Sequence, residues 1–294
     1  MNSILDILNK TTAFFEERNL DRARLQAEHL IASGLGLKRM DLYLQAQRPL
    51  EESELAEIRP LIRRRAKREP LQYIVGETDF WNSTLICRPG ALIPRPETEE
   101  LIEHTLALWK SISNESPKRI VDLGTGSGAI AIALAMEFPD AEVFAVDASK
   151  EALQLAAENA SKNSVDSRIQ LVESDWFSKL DDTFDLIVSN PPYLTQGETE
   201  LAEPEVREHE PIQALIGQDS DGAGDLRLIL GEALQFVNAE QPHLVALETG
   251  IAQHQNLTEF ATETGWQFTH SQEDLQARPR FFFATQTQAL ESQV

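Results

Sequence analysis

Four consecutive residues, Asn190-Pro191-Pro192-Tyr193, carry the most specific chemical signal in this chain. Neither strand nor helix continues through a diproline, because each ring fixes φ and removes an N–H donor. A turn held that rigidly leaves the Asn190 side-chain oxygen and the Pro191 carbonyl oxygen free to point the same way. Two converging acceptors match one –NH2 group, whose two donors lie in one plane. An amide nitrogen is a poor nucleophile because its lone pair is delocalised into the carbonyl. Accepting both N–H bonds orients that nitrogen, draws it towards tetrahedral geometry and stabilises the positive charge that develops on attack. Tyr193 can stack on a flat target and exclude water, and its π face tolerates charge. The competing reading is a rigid Pro-Pro loop with a helix-capping asparagine, and the surroundings decide between the two.

Those surroundings include a glycine turn, Asp122-Leu123-Gly124-Thr125-Gly126-Ser127-Gly128. Glycines there permit a tight bend and close approach of a ligand to the following helix. Gly124, Gly126 and Ala129 also fit the looser dinucleotide fingerprint, so a nicotinamide or flavin site is a rival. Three further positions favour a different ligand. Asp122 precedes the glycines, Asp147 ends the next strand, and Asp175-Trp176 follows the third. Successive strand ends form the face on which open α/β sheets bind ligands. The arrangement resembles the class I methyltransferase fold, a Rossmann-like α/β architecture with a seven-stranded, mostly parallel sheet ordered 3-2-1-4-5-7-6. That resemblance implies S-adenosyl-L-methionine as cofactor. Asp122 would then meet its ammonium group, Asp147 its ribose hydroxyls, and Asp175-Trp176 its adenine. An amide nitrogen held in line with the sulfonium methyl, at about 3–3.5 Å, gains a large orientational advantage. No general base is evident, and a methylated nitrogen is acidic enough to lose its proton to water.

The elements that must position these groups follow from periodicity. Short apolar strands are expected at Ile120–Leu123, Val143–Val146, Ile169–Val172, Leu186–Val188 and Leu244–Leu247, with two closing strands at Trp266–Phe268 and Arg280–Ala284. Helical stretches separate the first five, beginning with Ala129 to Phe138, so those strands run parallel. Residues 1–75 read instead as a helical module. One helix spans Ile4, Leu5, Ile7 and Leu8 towards Phe15. A second is expected from an Asp21 cap to a Gly34 stop. A third starts near Ser53 and carries the basic run Arg63–Arg68, with Pro60 kinking it or marking its start. Between the modules, Leu71 to Arg95 is rich in strand formers and turn residues. The expected division is 1–75 for substrate recognition, 76–95 for a β-hairpin connector and 96–294 for catalysis.

Charge separates the same two parts. Residues 1–75 hold 13 basic and 11 acidic side chains, whereas the remainder holds 13 basic and 37 acidic, a net −24. So acidic a body repels phosphate backbones, which argues against direct nucleic-acid binding. A single cysteine, Cys87, excludes an internal disulfide. No basic-plus-apolar leader is evident and no run approaches the ~20 apolar residues of a membrane helix. A cytoplasmic protein without membrane association is expected. The six histidines show no metal-ligand spacing, so no metal is expected.

An Asn-Pro-Pro-Tyr turn after the fourth strand suits enzymes that methylate adenine or cytosine amino groups or protein glutamine, and other motifs choose among them. Ile93-Pro94-Arg95-Pro96-Glu97-Thr98-Glu99 precedes the first strand of the sheet, and Val206-Arg207-Glu208-His209-Glu210-Pro211 follows the tetrapeptide. With Gln72-Tyr73-Ile74-Val75-Gly76 and Leu247-Glu248-Thr249-Gly250, these resemble the bacterial release-factor glutamine N5-methyltransferases, the HemK/PrmC family, over nearly the full length. The resemblance implies methylation of the Gly-Gly-Gln loop of class 1 peptide-chain release factors by a monomeric enzyme whose helical module helps dock the substrate. It implies cofactor contacts from Gly124, Thr125, Gly126, Ser127, Gly128, Asp147, Trp176 and Asn190, and a glutamine held by Asn190, Pro191, Pro192 and Tyr193. Methylation of a ribosomal protein is the nearest alternative and adenine methylation the next. Arg95, Glu97 and Glu99 either line the pocket mouth or cap the helix that follows, and Glu210-Pro211 is expected to shape a lid loop. Two stretches depart from the family pattern: Ala277–Phe281, where Asp274 and Arg280 can supply the missing pair, and the loop Gly217–Asp225. Both are expected to bear on docking and to leave the methyl-transfer chemistry untouched.

Overall fold

In the computed structural model, which describes residues 2–289, the chain divides into two units, Met1–Glu77 with Glu203–His209, and Thr78–Ala202 with Glu210–Val294. The first unit is helical: α1 (Ile4–Glu16), α2 (Ala23–Leu35), α3 (Arg39–Leu44), α4 (Glu52–Ala66) and α5 (Leu71–Val75). Their apolar faces close on Ile4, Leu8, Phe15, Leu30, Ile31, Leu42 and Ile58. The helix expected from Asp21 to Gly34 is shifted at both ends. Its N-cap is Arg22, in a left-handed conformation, and its C-cap is Gly36, at φ 63°. Gly34 lies within α2 because a Cβ there would stand 2.9 Å from Ile58 Cγ1, so the glycine serves close helix approach and not termination. Pro60 sits inside α4 and does not mark its start. The first residues of the stretch read as strand-forming, Leu71–Val75, are helical as α5.

Strands β1 (Glu77–Phe80) and β2 (Ser83–Ile86) form a two-stranded hairpin, followed by α6 (Pro96–Ile112). The sheet then builds from β3 (Arg119–Leu123), α7 (Ala129–Glu137), β4 (Glu142–Asp147), α8 (Lys150–Lys162), β5 (Ile169–Glu173) and β6 (Leu186–Ser189). Short helices α9 (Gln196–Leu201) and α10 (Pro204–His209) lead to α11 (Gly224–Ala233), β7 (Leu244–Glu248), α12 (His254–Thr264), β8 (Phe268–Glu273) and β9 (Pro279–Thr285). The seven strands β3 to β9 lie in the order β5-β4-β3-β6-β7-β9-β8. Counted from β3, this is the 3-2-1-4-5-7-6 order that the resemblance implied. Strands β5, β4, β3, β6 and β7 are parallel, and β9 is antiparallel to both β7 and β8.

Alternation along each strand builds two cores, one per face of the sheet. Ile120, Val143, Leu186, Phe281 and Phe283 join α7 on one face, whereas Val121, Phe144, Ile187 and Phe282 join α11 on the other. Ala129 to Ala135 are all buried, which explains why α7 is apolar all round. This packing fixes the strand ends to which the candidate site residues are attached.

One segment was not separable in the sequence. After β6 the chain passes α9, and Glu203–His209 then joins the helical unit before Glu210 returns to the sheet unit. Within the helical unit Arg65, 4 % exposed, hydrogen-bonds Gln26 and pairs with Glu205. Arg68 pairs with Glu203 at 2.7 Å and Glu205 at 2.9 Å. Part of the basic run is therefore internal structure and not a solvated face. No helix among the described residues is long and apolar enough to cross a membrane.

Candidate active site

A cavity of about 840 Å³ opens at the ends of β3, β4, β5 and β6, wholly within the sheet unit. Gly124, Thr125, Gly126, Ser127, Asp147, Trp176 and Asn190 line it, together with Pro192, Arg95, Thr98 and Asp225. Its size falls in the range of small-molecule and cofactor sites, roughly 300–1,000 Å³.

The glycine turn is held from below. Gly124 N and Thr125 N both donate to Val146 O at 2.8 Å, which pins the turn to β4. Gly124 and Gly126 have φ of 72° and 54°, a region that favours glycine. Gly128 does not line the cavity; a Cβ there would stand 3.1 Å from Ala156 Cβ, so it lets α7 pack on α8. Asp122 is also placed differently from expectation. It is fully buried, does not line the cavity, and its Oδ2 accepts from Thr125 Oγ1 at 2.6 Å and Ala131 N at 3.1 Å. Because the Gly128 cap has no side chain, Asp122 satisfies an open N–H of the first turn of α7 from beneath. Burial pushes its carboxyl up to about 7, against these two hydrogen bonds.

Asp147 stands where a ligand can reach it. Its Oδ2 accepts from Gly126 N at 2.9 Å and its Oδ1 from Ser149 N at 2.8 Å. Burial raises its pKa, and these backbone donors oppose the rise. Each oxygen keeps a further lone pair, so the carboxylate can accept a pair of hydroxyls. Trp176, at φ 44°, lies over the turn; a Cβ on Gly124 would meet its ring at 3.4 Å. Trp176 and Asp225 both line the cavity, and the indole offers it one flat wall.

The Asn-Pro-Pro-Tyr turn splits between cavity and core. Asn190 and Pro192 line the cavity, whereas Pro191 is buried and Tyr193 turns towards Glu248. Asn190 Nδ2 donates to Thr98 Oγ1 at 3.1 Å, and Thr98 Oγ1 donates to Glu248 Oε2 at 2.7 Å. Tyr193 Oη donates to Glu248 Oε1 at 3.0 Å and accepts from Arg280 Nη1 at 3.4 Å. Burial and the Glu248 carboxylate push the phenol pKa up. Glu248 is 1 % exposed; burial raises its pKa, and the Thr98 and Tyr193 hydroxyls and the Arg280 charge oppose the rise. Thr98, Glu248 and Arg280 were present in the quoted motifs, but nothing in their spacing showed that they meet at Asn190 and Tyr193.

The loop Gly217–Asp225 and Arg280, expected to bear on docking alone, both touch this turn. A Cβ on Gly217 would stand 2.7 Å from Pro192 O, and one on Gly222 2.5 Å from Tyr193 O. Gln253 Nε2 donates to Tyr193 O at 2.9 Å. Arg95 resolves towards the cavity, where its guanidinium pairs with Glu210 at 2.5 Å, and Glu210 also accepts from Ile93 N. Glu97 instead faces Arg278, and Glu99 accepts from Trp81 N.

A sheet of this order with a glycine-turn cavity at its strand ends defines an S-adenosylmethionine-dependent methyltransferase. Residues 99–206 match the family model described as methyltransferase small domain, and residues 6–76 match the PrmC N-terminal domain. The chain is 40% identical to the release factor glutamine methyltransferase of Geobacter sulfurreducens over 90% of each chain. Identity to its counterpart in Chlorobaculum tepidum is 44%, over 73% of this chain and 75% of that one. The protein belongs to the release factor glutamine methyltransferase family. Among solved structures, the catalytic domain of hMettl16 shares the fold, with a TM-score of 0.56, 16% identity and coverage of 70% of this chain and 75% of that chain.

Proposed function

We propose that this protein methylates the side-chain amide nitrogen (N5) of the glutamine in the Gly-Gly-Gln loop of class 1 release factors, acting as a monomer in the cytoplasm. The observation that carries the reading is the position of Asn190. Its side chain lines the same cavity as the Gly124–Ser127 turn and Asp147, and its Nδ2 is engaged by Thr98, which leaves Oδ1 as an acceptor. S-adenosyl-L-methionine fits the donor set: Asp147 can accept hydroxyls, Trp176 offers a flat wall and the glycine turn permits close approach. When bound, it supplies a methyl group carried on positively charged sulfur.

The chain's own residues do the rest. Asn190 Oδ1, in the cavity lining, takes one N–H bond of the glutamine amide, and the carbonyl of the buried Pro191 beside it is to take the other, so that the nitrogen is oriented. These acceptors also stabilise the charge that the nitrogen acquires as the new N–C bond forms. The surplus proton leaves to water. Pro192 and Tyr193 keep the turn rigid, and Tyr193 is itself held by Glu248 and Arg280. Residues 1–75, with Glu203–His209, then serve as the recognition module, 76–95 as the connector and the rest of 96–294 as the catalytic part. The names of the relatives favour a release factor over a ribosomal protein or an adenine base as substrate.

The deciding experiment supplies labelled S-adenosyl-L-methionine with a purified release factor and, in parallel, its Gln→Ala loop variant. Label on the native protein alone, placed on the loop glutamine by mass spectrometry, is expected. Label on both or on neither, with cofactor still binding, overturns the assignment of substrate.

A further inference from the structure

The side-chain hydrogen bonds of Asn190 and Tyr193 have a direction, and both chains of them run towards one carboxylate. Arg280 Nη1 donates to Tyr193 Oη, and Tyr193 donates to Glu248 Oε1. From the other side Asn190 Nδ2 donates to Thr98 Oγ1, and Thr98 donates to Glu248 Oε2. A hydroxyl has one proton to give. Thr98 gives its proton to Glu248, so it meets Asn190 only as an acceptor, and only the –NH2 end of Asn190 satisfies it. Were the amide reversed, two acceptors would face each other in a part-buried place, at a cost of up to a lost hydrogen bond.

We propose that Glu248, acting through the Thr98 hydroxyl, sets which end of the Asn190 amide faces the cavity and thereby makes the site an acceptor for a substrate –NH2 group. This rests on the glutamine reading above. Glu248 and Thr98 are positioning residues, since each acts through Asn190. An amide side chain is nearly symmetric in shape, so packing alone does not choose its orientation; a fixed proton direction does. The same carboxylate anchors Tyr193, so both ends of the tetrapeptide are referred to a single buried group that is 1 % exposed.

The direction of the relay makes a prediction that a merely structural role does not. In Glu248→Gln the introduced amide keeps its oxygen for Tyr193 and turns its –NH2 to Thr98. Thr98 must then donate to residue 190, and an asparagine there turns its –NH2 into the cavity, against the substrate's own donors. If Asn190→Asp is added, the new carboxylate accepts from Thr98 with one oxygen and from the substrate with the other. The double variant has a consistent proton direction again, with the same formal charge as the wild type.

The test measures methyl transfer to a release factor by the full chain, with cofactor Kd and Tm for every variant. Glu248→Gln is expected to lose about 100-fold in kcat, with KM and cofactor Kd within a few-fold of wild type. Thr98→Val should fall with it, while Thr98→Ser, which keeps the hydroxyl, stays near wild type. The double variant Asn190→Asp/Glu248→Gln should exceed both single variants in kcat by about 10-fold or more. A double variant no better than the product of its singles, or Thr98→Val as active as Thr98→Ser, overturns the proposal; the second comparison stands even if Glu248→Gln fails to fold. Failure of the wild type to methylate any release factor would count against the substrate and not against the relay. In that event proton exchange of the Asn190 side-chain amide decides: slower in wild type than in Thr98→Val supports the relay, and equal rates overturn it.

Discussion

The two turns that line the cavity are built on opposite plans. The glycine turn is held by its neighbours: Gly124 and Thr125 bond the end of β4, and Asp122 bonds Thr125 and Ala131 within the same strand-turn-helix. The Asn-Pro-Pro-Tyr turn is held from afar, by Thr98 on α6, Glu248 on β7, Gln253 before α12, Arg280 on β9 and the glycines of the 217–225 loop. A turn that only has to bend tightly and admit a ligand close to its backbone can be specified by its own glycines and the end of the adjacent strand. A turn that is to offer acceptors to a substrate amide, as proposed above, has its orientation fixed by groups far from it along the chain.

This contrast can be broken at its sharpest point first. Asn190→Ala should reduce kcat for methyl transfer by about 100- to 1,000-fold, with cofactor Kd changed only a few-fold. Equilibrium dialysis beside steady-state rates separates these outcomes, and a loss confined to cofactor affinity would erase the distinction between the two turns. Asp147→Ala should do the reverse, weakening cofactor binding by roughly 10- to 100-fold, the worth of hydrogen bonds to a charged group, while kcat at saturating cofactor stays close to wild type. An unchanged Kd would remove Asp147 from the cofactor site.

Gly222→Ala tests the remote support. Its φ of 71° and the Tyr193 carbonyl 2.5 Å from a new Cβ make any side chain strained. A loss of about 1–3 kcal/mol of stability is expected in denaturant titration, with kcat falling further than cofactor affinity. Equal loss of both would mean that the loop supports the whole cavity. The smallest effect belongs to Asp122. Its carboxyl is raised to about 7 from an ordinary 3.8, so the folded protein holds a proton that the unfolded chain has already released. This group's contribution is therefore full below about pH 4, declines as pH rises, and is lost beyond about pH 7. Asp122→Asn should flatten the fall in Tm between pH 5 and 7, and parallel profiles would show that Asp122 is not the titrating group.

The same contrast decides what could be read from the sequence. Strand positions, the glycine turn and the tetrapeptide were legible because each is local: short apolar runs, glycines at a strand end, a diproline; the strand order came only from the resemblance to the class I methyltransferase fold. Asp122 was misplaced because its type and position suit a ligand as well as a buried helix cap, and only depth separates them. Gly34 was misread as a helix stop because a glycine demanded by a neighbouring helix looks the same as one demanded by φ. Thr98, Glu248 and Arg280 lay in recognised motifs, but their meeting at Asn190 and Tyr193 is a product of sheet order. The departure at Gly217–Asp225 was set aside for a similar reason, since nothing in that stretch announces whose carbonyl oxygens it must clear.

The detour of Glu203–His209 has a consequence for how such a protein can be cut or recombined. Arg65 and Arg68 hold Glu203 and Glu205, so the helical unit is discontinuous along the chain and its last piece is encoded within the half that builds the sheet. A fragment beginning at Thr78 would carry two orphaned carboxylates, and a fragment ending at Glu77 would leave two arginines uncompensated. Exchange of the helical unit between relatives therefore requires two separated stretches of gene to be replaced together, which makes the pair inherit as one block.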